Sequence, residues 1–211
     1  MKILIILNGQ KNNSKYLKNI VNNIDFIIAA DGGANSCSSL HLIPDIIIGD
    51  LDSISDEAKT NFSQIPILYI KNQNETDLQK ALEYALNKKP DKIYIFACLG
   101  KREDHSLINL LILNNFVQKH RIKIELITKS ARFRILPFGN HEIINRKNKI
   151  VSLFSYNTIE NLNLSGFQYE LKNKNYLNNF IGLSNVYTSD RSTIKFSSGV
   201  VFLIEPFERI E

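Results

Sequence analysis

Apolar residues in the first half of the chain come in short continuous runs that end at turn residues and alternate with stretches of helical period. The runs Ile3–Leu7, Phe26–Ala30, Asp45–Ile48, Ile67–Ile70, Lys92–Ala97 and Lys123–Ile127 have the length of strands, and the most continuous of them read as buried on both faces. Between them, Ser14–Asn22 sets Leu17, Ile20 and Val21 on one helical face, and Ala34–Leu40 reads as a short helix. Ser55-Asp56-Glu57 carries the acids that favour a helix start, where they oppose the positive end of the dipole. Thr76-Asp77-Leu78-Gln79 fits a capping box that opens a helix to about Lys88, with Leu78, Ala81, Leu82 and Ala85 facing inward. A longer helix is predicted from about Asp104 to Lys119. Such alternation predicts a mostly parallel sheet flanked by helices.

The pattern changes after about Ser130. Helical period stops, and short alternating segments follow: Phe133–Leu136, Ile150–Phe154, Ile159–Leu164, Thr193–Phe196 and Val200–Ile204. Turn material separates them, at Pro137-Phe138-Gly139, Ser165-Gly166, Thr188-Ser189-Asp190 and Ser197-Ser198-Gly199. The expected architecture is therefore an α/β N-terminal domain with a mostly parallel sheet flanked by helices, residues 1–130, followed by an all-β sandwich domain, residues 131–211.

Composition narrows the function classes. With 44% hydrophobic and 22% charged residues, the 211-residue chain has the make-up of a soluble globular protein. No apolar run is long enough to span a membrane, and the opening MKILIILNGQ is too short for a signal peptide and reads as a first buried strand. Cys37 and Cys98 have neither zinc spacing nor a disulfide framework and are read as reduced, so the expected location is cytoplasmic. The net charge of +5 divides into −1 over residues 1–118 and +6 over residues 119–211. A Lys/Asn/Ile-rich composition raises the isoelectric point without a partner, and no base-stacking motif accompanies it, so neither nucleic acid nor membrane is expected to bind. There is no P-loop, no G-x-G-x-x-G and no nucleophile elbow. If a nucleotide binds, it binds through metal and scattered side chains.

The candidate chemistry lies where two of the buried runs end. Phe26–Ala30 delivers Asp31-Gly32-Gly33, and Ile46–Ile48 delivers Gly49-Asp50-Leu51-Asp52. Asp-Gly is also a hairpin signal, but a helix and not a returning strand follows. In open α/β sheets ligands bind outside the carboxyl ends of the strands. Asp50 and Asp52 are two apart, so an extended segment aims both carboxylates to one side. Three acids gathered there repel unless a cation neutralises them. Asp77, which alone reads as a helix cap, adds a fourth, and Lys80 follows one turn later. Such a rim beside helix N-termini suits a magnesium–nucleotide complex. The loop Gly100-Lys101-Arg102-Glu103-Asp104-His105 supplies opposite charge: Arg102 offers a planar fork to phosphate oxygens, and Asp104 either orients it or caps the next helix.

Six collinear motifs then span nearly the whole chain: DGGAN at Asp31–Asn35, GDLDS at Gly49–Ser53, QNETD at Gln73–Asp77 with Lys80 beyond, the Arg102-x-Asp104-His105 loop, G-x-x-Y-x-L at Gly166–Leu171, and GLSN at Gly182–Asn185. In this combination the chain resembles the thiamine pyrophosphokinase family. The resemblance implies transfer of a pyrophosphoryl group from ATP to the thiamine hydroxyl, with release of AMP. It implies Asp50, Asp52, Asp77, Lys80 and Arg102 as catalytic residues, and Asp31, Gln73, Asp104 and His105 as residues of the ATP side. It further implies Mg²⁺ held by Asp31, Asp50, Asp52 and Asp77, thiamine held by Ser184 and Asn185, and a homodimer with shared active sites. The chain departs from the family pattern in its phosphate loop, where Lys101 and Glu103 stand in place of a glycine and an aromatic. It departs also at Thr128–Arg132 and in having no Trp. Two other readings compete on the residues alone: a magnesium-dependent phosphohydrolase, and a ligand-binding module without catalysis. AMP formed only with thiamine present separates the first reading from both.

Overall fold

Four of the five residues of strand β1 (Lys2–Ile6) are fully buried, and the first sheet is built outward from them. The structure, a computed structural model, describes residues 1–10 and 14–207. Strand β1 pairs in parallel with β2 (Phe26–Ala30) on one side and β5 (Lys92–Phe96) on the other. Beyond β2 follow β3 (Ile46–Gly49) and β4 (Ile67–Tyr69), both parallel, and β6 (Lys123–Ile127) lies beyond β5. The chain between the strands forms α1 (Ser14–Val21), α2 (Gly33–Leu40), α3 (Asp56–Asn61), α4 (Asp77–Asn87) and α5 (Glu103–His120), of which α2 and α4 pack against the inner strands and α3 against α2. Strand β4 differs, since all three of its residues are exposed at the sheet edge. The polar caps act as the sequence predicts. Ser55 Oγ accepts from Ala58 N at 3.2 Å, Thr76 Oγ1 accepts from Gln79 N at 3.3 Å, and Gln79 Oε1 accepts from Thr76 N at 3.0 Å. Each such cap stabilises its helix by about 1 kcal/mol. Helix α2 starts at Gly33 because only glycine fits there: a Cβ would lie 2.0 Å from the Ile6 carbonyl oxygen.

The second unit is wholly antiparallel, with β7 (Ala131–Ile144), β8 (Ile150–Ser155), β9 (Ile159–Ser165), β10 (Leu171–Tyr176), β11 (Phe180–Val186) and β12 (Arg191–Pro206). Strand β12 pairs with β7 along its whole length; its other side takes β9 in the first half and β8 in the second. With β10 on β9 and β11 on β8, two leaves share the long β7–β12 ribbon. Leu153, Leu162, Phe180, Tyr187, Ile194 and Val201 are among the residues of their common core. The chain thus divides into two compact units, residues 1–112 with 125–130, and residues 113–124 with 131 onward. Among the described residues no helix is long and apolar enough to cross a membrane.

The order of an α/β region followed by an all-β region holds, but three local expectations do not. Ser197-Ser198-Gly199 does not separate two strands. It is a bulge in one, where Phe196 faces Gly139, Val200 faces Pro137, and Gly199 takes a φ of 86°. Pro137-Phe138-Gly139 likewise lies inside β7. Turn residues mark a bend in the backbone, and a bend in a long ribbon carries the same signature as a hairpin. Strands β10 and β11 lie outside the predicted segments: LKNKNY is a largely exposed edge with no apolar alternation to reveal it, and FIGLSNV is interrupted by a register shift between Gly182 and Asn185.

Candidate active site

The carboxyl ends of β1, β2, β3 and β5 open on a cavity of about 520 Å³ in the first unit. At the end of β2 the backbone turns sharply at Asp31, which adopts a φ of 44°. The residue is fixed from both sides: its N–H donates to Ile48 O at 2.7 Å, and its carbonyl accepts from Ala34 N at 3.0 Å. Gly49 permits β3 to end against it, since a Cβ at position 49 would stand 2.8 Å from Asp31 Cβ. Asn35, on the first turn of α2, then ties down the loop after β3. Its Nδ2 donates to Ser53 O and its Oδ1 accepts from Ser55 N, both at 2.8 Å.

This scaffold brings one carboxylate oxygen from each of Asp31, Asp50 and Asp52 within 4.8 Å of the others. The route differs from the extended segment expected from their spacing. Leu51 between them has a φ of 66°, so a turn and not a pleat makes Asp50 and Asp52 converge. Asp31 is 3% exposed, and its Oδ1 is buried with no hydrogen-bond partner among the described residues. A buried carboxylate oxygen without a donor, beside two further carboxylates, fits a hard cation that takes oxygen ligands.

Asp77 lines the same cavity but stands outside that group of three. Burial raises its proton affinity, the charges of Asp31 and Asp50 add to the effect, and Lys80 opposes it. Lys80 is drawn almost wholly inside at 4% exposure, with its Nζ 3.5 Å from Asp77 Oδ1. Arg102, Gln73 and His105 line the cavity as well, whereas Asp104 does not. The carboxylate of Asp104 instead holds the Arg102 fork: Nε donates to Oδ1 at 3.1 Å and Nη2 to Oδ2 at 2.6 Å. With His105 N also donating to it, Asp104 is held down to about 2, well below the usual carboxylate range. The orienting role weighed for Asp104 therefore has geometry behind it. Cys98 reaches the cavity, but burial pushes its thiol up to about 12, so it stays protonated and inert.

Ser184 and Asn185 lie in β11 of the second unit and do not line this cavity. Ser184 is exposed with a φ of 52°. Asn185 is buried and largely committed: its Oδ1 accepts from Tyr169 N and Val186 N, at 3.0 and 2.9 Å, and its Nδ2 donates to Tyr169 O at 3.0 Å. One amide N–H of Asn185 is left over from these contacts. Sequence reasoning missed Asn8, Glu75 and Asn109 on the cavity wall and the stapling role of Asn35. The Asn8-Gly9 turn that ends the first run is the signal that pointed to Asn8, by analogy with Asp31-Gly32 at the end of the second.

The chain matches two family models, described as thiamin pyrophosphokinase, catalytic domain, over residues 17–126, and thiamin pyrophosphokinase, vitamin B1 binding domain, over residues 140–201. The first covers Asp31 through His105, and the second covers Ser184 and Asn185. Thiamine pyrophosphokinase of Bacillus subtilis strain 168 is 33% identical over 208 residues, 96% of this chain and 97% of that protein. The crystal structure of thiamine pyrophosphokinase from Bacillus subtilis superposes with a TM-score of 0.84 at 28% identity, covering 99% of this chain and 100% of that one. The yeast thiamin pyrophosphokinase structure shares the fold, with a TM-score of 0.78 at 16% identity over 98% of this chain and 86% of that one. The chain belongs to the thiamin pyrophosphokinase family.

Proposed function

We propose that this chain transfers the pyrophosphoryl group of ATP to the hydroxyl of thiamine, yielding thiamine diphosphate and AMP. The observation that carries the proposal is the meeting of Asp31, Asp50 and Asp52 within 4.8 Å in a cavity also lined by Lys80 and Arg102. The thiamine oxygen attacks the β-phosphorus, the bond to the α–β bridging oxygen breaks, and AMP leaves with the electron pair. The hydroxyl proton passes to a carboxylate of the cavity rim. Lys80 and Arg102 meet phosphate oxygens and hold the chain of phosphates in line, with Asp104 keeping the Arg102 fork in its plane. Gln73 and His105 contact ATP. Asp31, Asp50, Asp52 and Asp77 would hold Mg²⁺, which when bound neutralises charge on the phosphate oxygens.

In this reading residues 1–130 bind nucleotide and metal, and residues 131–211 bind thiamine and form the dimer. The Ser184 hydroxyl and the remaining Asn185 N–H take the vitamin, in a cytoplasmic homodimer with shared active sites. The two buried free cysteines fit a reducing compartment. A mixture of Asn185→Ala and Asp52→Ala protein that regains activity on subunit exchange supports the shared site; no regain argues against it. The reaction itself is tested by incubating the protein with Mg²⁺, ATP and thiamine and measuring both products by mass. AMP and thiamine diphosphate appearing together, and only with thiamine present, support the proposal. Phosphate released without thiamine favours the phosphohydrolase.

A further inference from the structure

Three permanent cations line the cavity, and they are not equivalent. Lys80 faces the Asp77 carboxylate, and Arg102 is gripped by Asp104 through two hydrogen bonds. Lys101 has no carboxylate within ion-pair distance among the described residues; its Nζ donates at 3.0 Å to the neutral Oδ1 of Asn8. An arriving anion must compete with a carboxylate for the first two, but only with an amide oxygen for the third.

Nor does the fold need a lysine there. The loops at the ends of β1 and β5 are joined by their backbones, with Gly9 N donating to Ala97 O at 2.6 Å and Gln10 N to Leu99 O at 2.9 Å. Lys101 meanwhile has a φ of 71°, directly after Gly100 at 81°. The left-handed region crowds an L side chain against its own carbonyl and leaves glycine unstrained. A lysine at this position therefore burdens the backbone while its ammonium stands at the cavity wall with its charge uncompensated. Backbone strain kept at a cavity wall points to use of the side chain.

We infer that Lys101 is a binding residue for the phosphate chain of the nucleotide, an assignment that rests on the pyrophosphokinase reading. Its ammonium sits at the end of an exposed, flexible stem, so it attracts the triphosphate alike in the bound and the reacting state. It raises affinity for the nucleotide and leaves the chemical step nearly unchanged.

The test compares Lys101→Gly, Lys101→Met and Lys101→Arg with the parent protein. For Gly and Met, KM for ATP should rise about tenfold, with kcat within about twofold and KM for thiamine unchanged. Arg should retain most of the affinity. The deficit should shrink between about 0.05 M and about 0.5 M salt, as screening removes a charge–charge attraction. Calorimetric binding of inorganic tripolyphosphate with Mg²⁺ should weaken in parallel, and this readout stands even if no thiamine diphosphate is formed. The Gly variant should also melt no lower than the parent, because it loses strain while it loses affinity. Unchanged tripolyphosphate affinity in Lys101→Gly overturns the inference. So does a fall in kcat at constant KM, which would make Lys101 a transition-state residue, or a joint fall in affinity and melting temperature, which would make its role structural.

Discussion

Two clusters of charge, one in each unit, show what separates a site from a structural network. In the second unit Glu205 is 1% exposed and surrounded by donors. Its Oε2 accepts from Arg132 Nε at 2.8 Å and Nη2 at 2.5 Å, and its Oε1 accepts from Arg146 Nε at 3.0 Å and the Tyr187 hydroxyl at 3.1 Å. Arg134 adds a third guanidinium: its Nη2 donates to Oε1 at 3.4 Å, while its Nε forms an ion pair with Oε2 at 2.9 Å without a hydrogen bond. Every lone pair of that carboxylate has a suitor. In the first unit the proportions are reversed: three carboxylates converge, and a buried oxygen of Asp31 finds no donor among the described residues. Burial of an acid is common to both clusters and marks neither. What marks the cavity is unmet bonding capacity, which a cation or a substrate has to supply.

The contrast breaks most visibly at Glu205. Glu205→Ala leaves guanidinium groups facing one another with no anion between them and should lower stability by about 3–5 kcal/mol, the usual loss on removing one side of a buried ion network. Thermal or urea unfolding measures it, and a variant as stable as the parent would mean that the arginines repair themselves with water. Asn35→Ala should have a smaller effect. It removes two hydrogen bonds between α2 and the Asp50–Ser55 loop, about 1–2 kcal/mol together, and frees the loop that carries two of the three acids. The expected signature is a kcat/KM loss larger than the stability loss, and equal losses would reduce Asn35 to a plain structural staple.

Smallest is the pH effect at Asp77. Its proton affinity in the fold is raised, so the folded state binds more protons than the unfolded chain above the unfolded value near 3.8. Stability therefore falls as pH rises through the raised folded value, and Asp77→Asn should lack that segment of the slope. Identical pH–stability curves for the two proteins would remove Asp77 from the electrostatics of the cavity.

Legibility followed the local signal. The strands and helices of the first unit were readable because each buried run is continuous and each cap is local, as at Ser55 and at Thr76 with Gln79. The acids were readable because they stand at strand ends. Their convergence was foreseen for a partly wrong reason, since the turn at Leu51 depends on a backbone angle that composition does not reveal. Nothing in the sequence shows that Lys80 is drawn inside, since only the packing of α4 buries it. In the second unit the long ribbon and the strands β10 and β11 escaped notice. A bulge resembles a turn, and an exposed edge has no apolar period. Asn35 acts through backbone groups of a distant loop, a relation that exists only once the chain has folded.

The central claim is that the converging carboxylates of the first unit work by holding a cation against the phosphates. Asp52→Asn tests it most directly, because Asp52 is exposed and its replacement keeps the size and one oxygen while removing the charge. With the fold verified by unfolding, the measurement is activity with ATP and thiamine across a magnesium titration. The account predicts a kcat/KM lower by about 10²-fold, roughly 2.7 kcal/mol of transition-state stabilisation, together with a higher magnesium concentration at half-maximal activity. A folded Asp52→Asn protein with the turnover and magnesium response of the parent contradicts it.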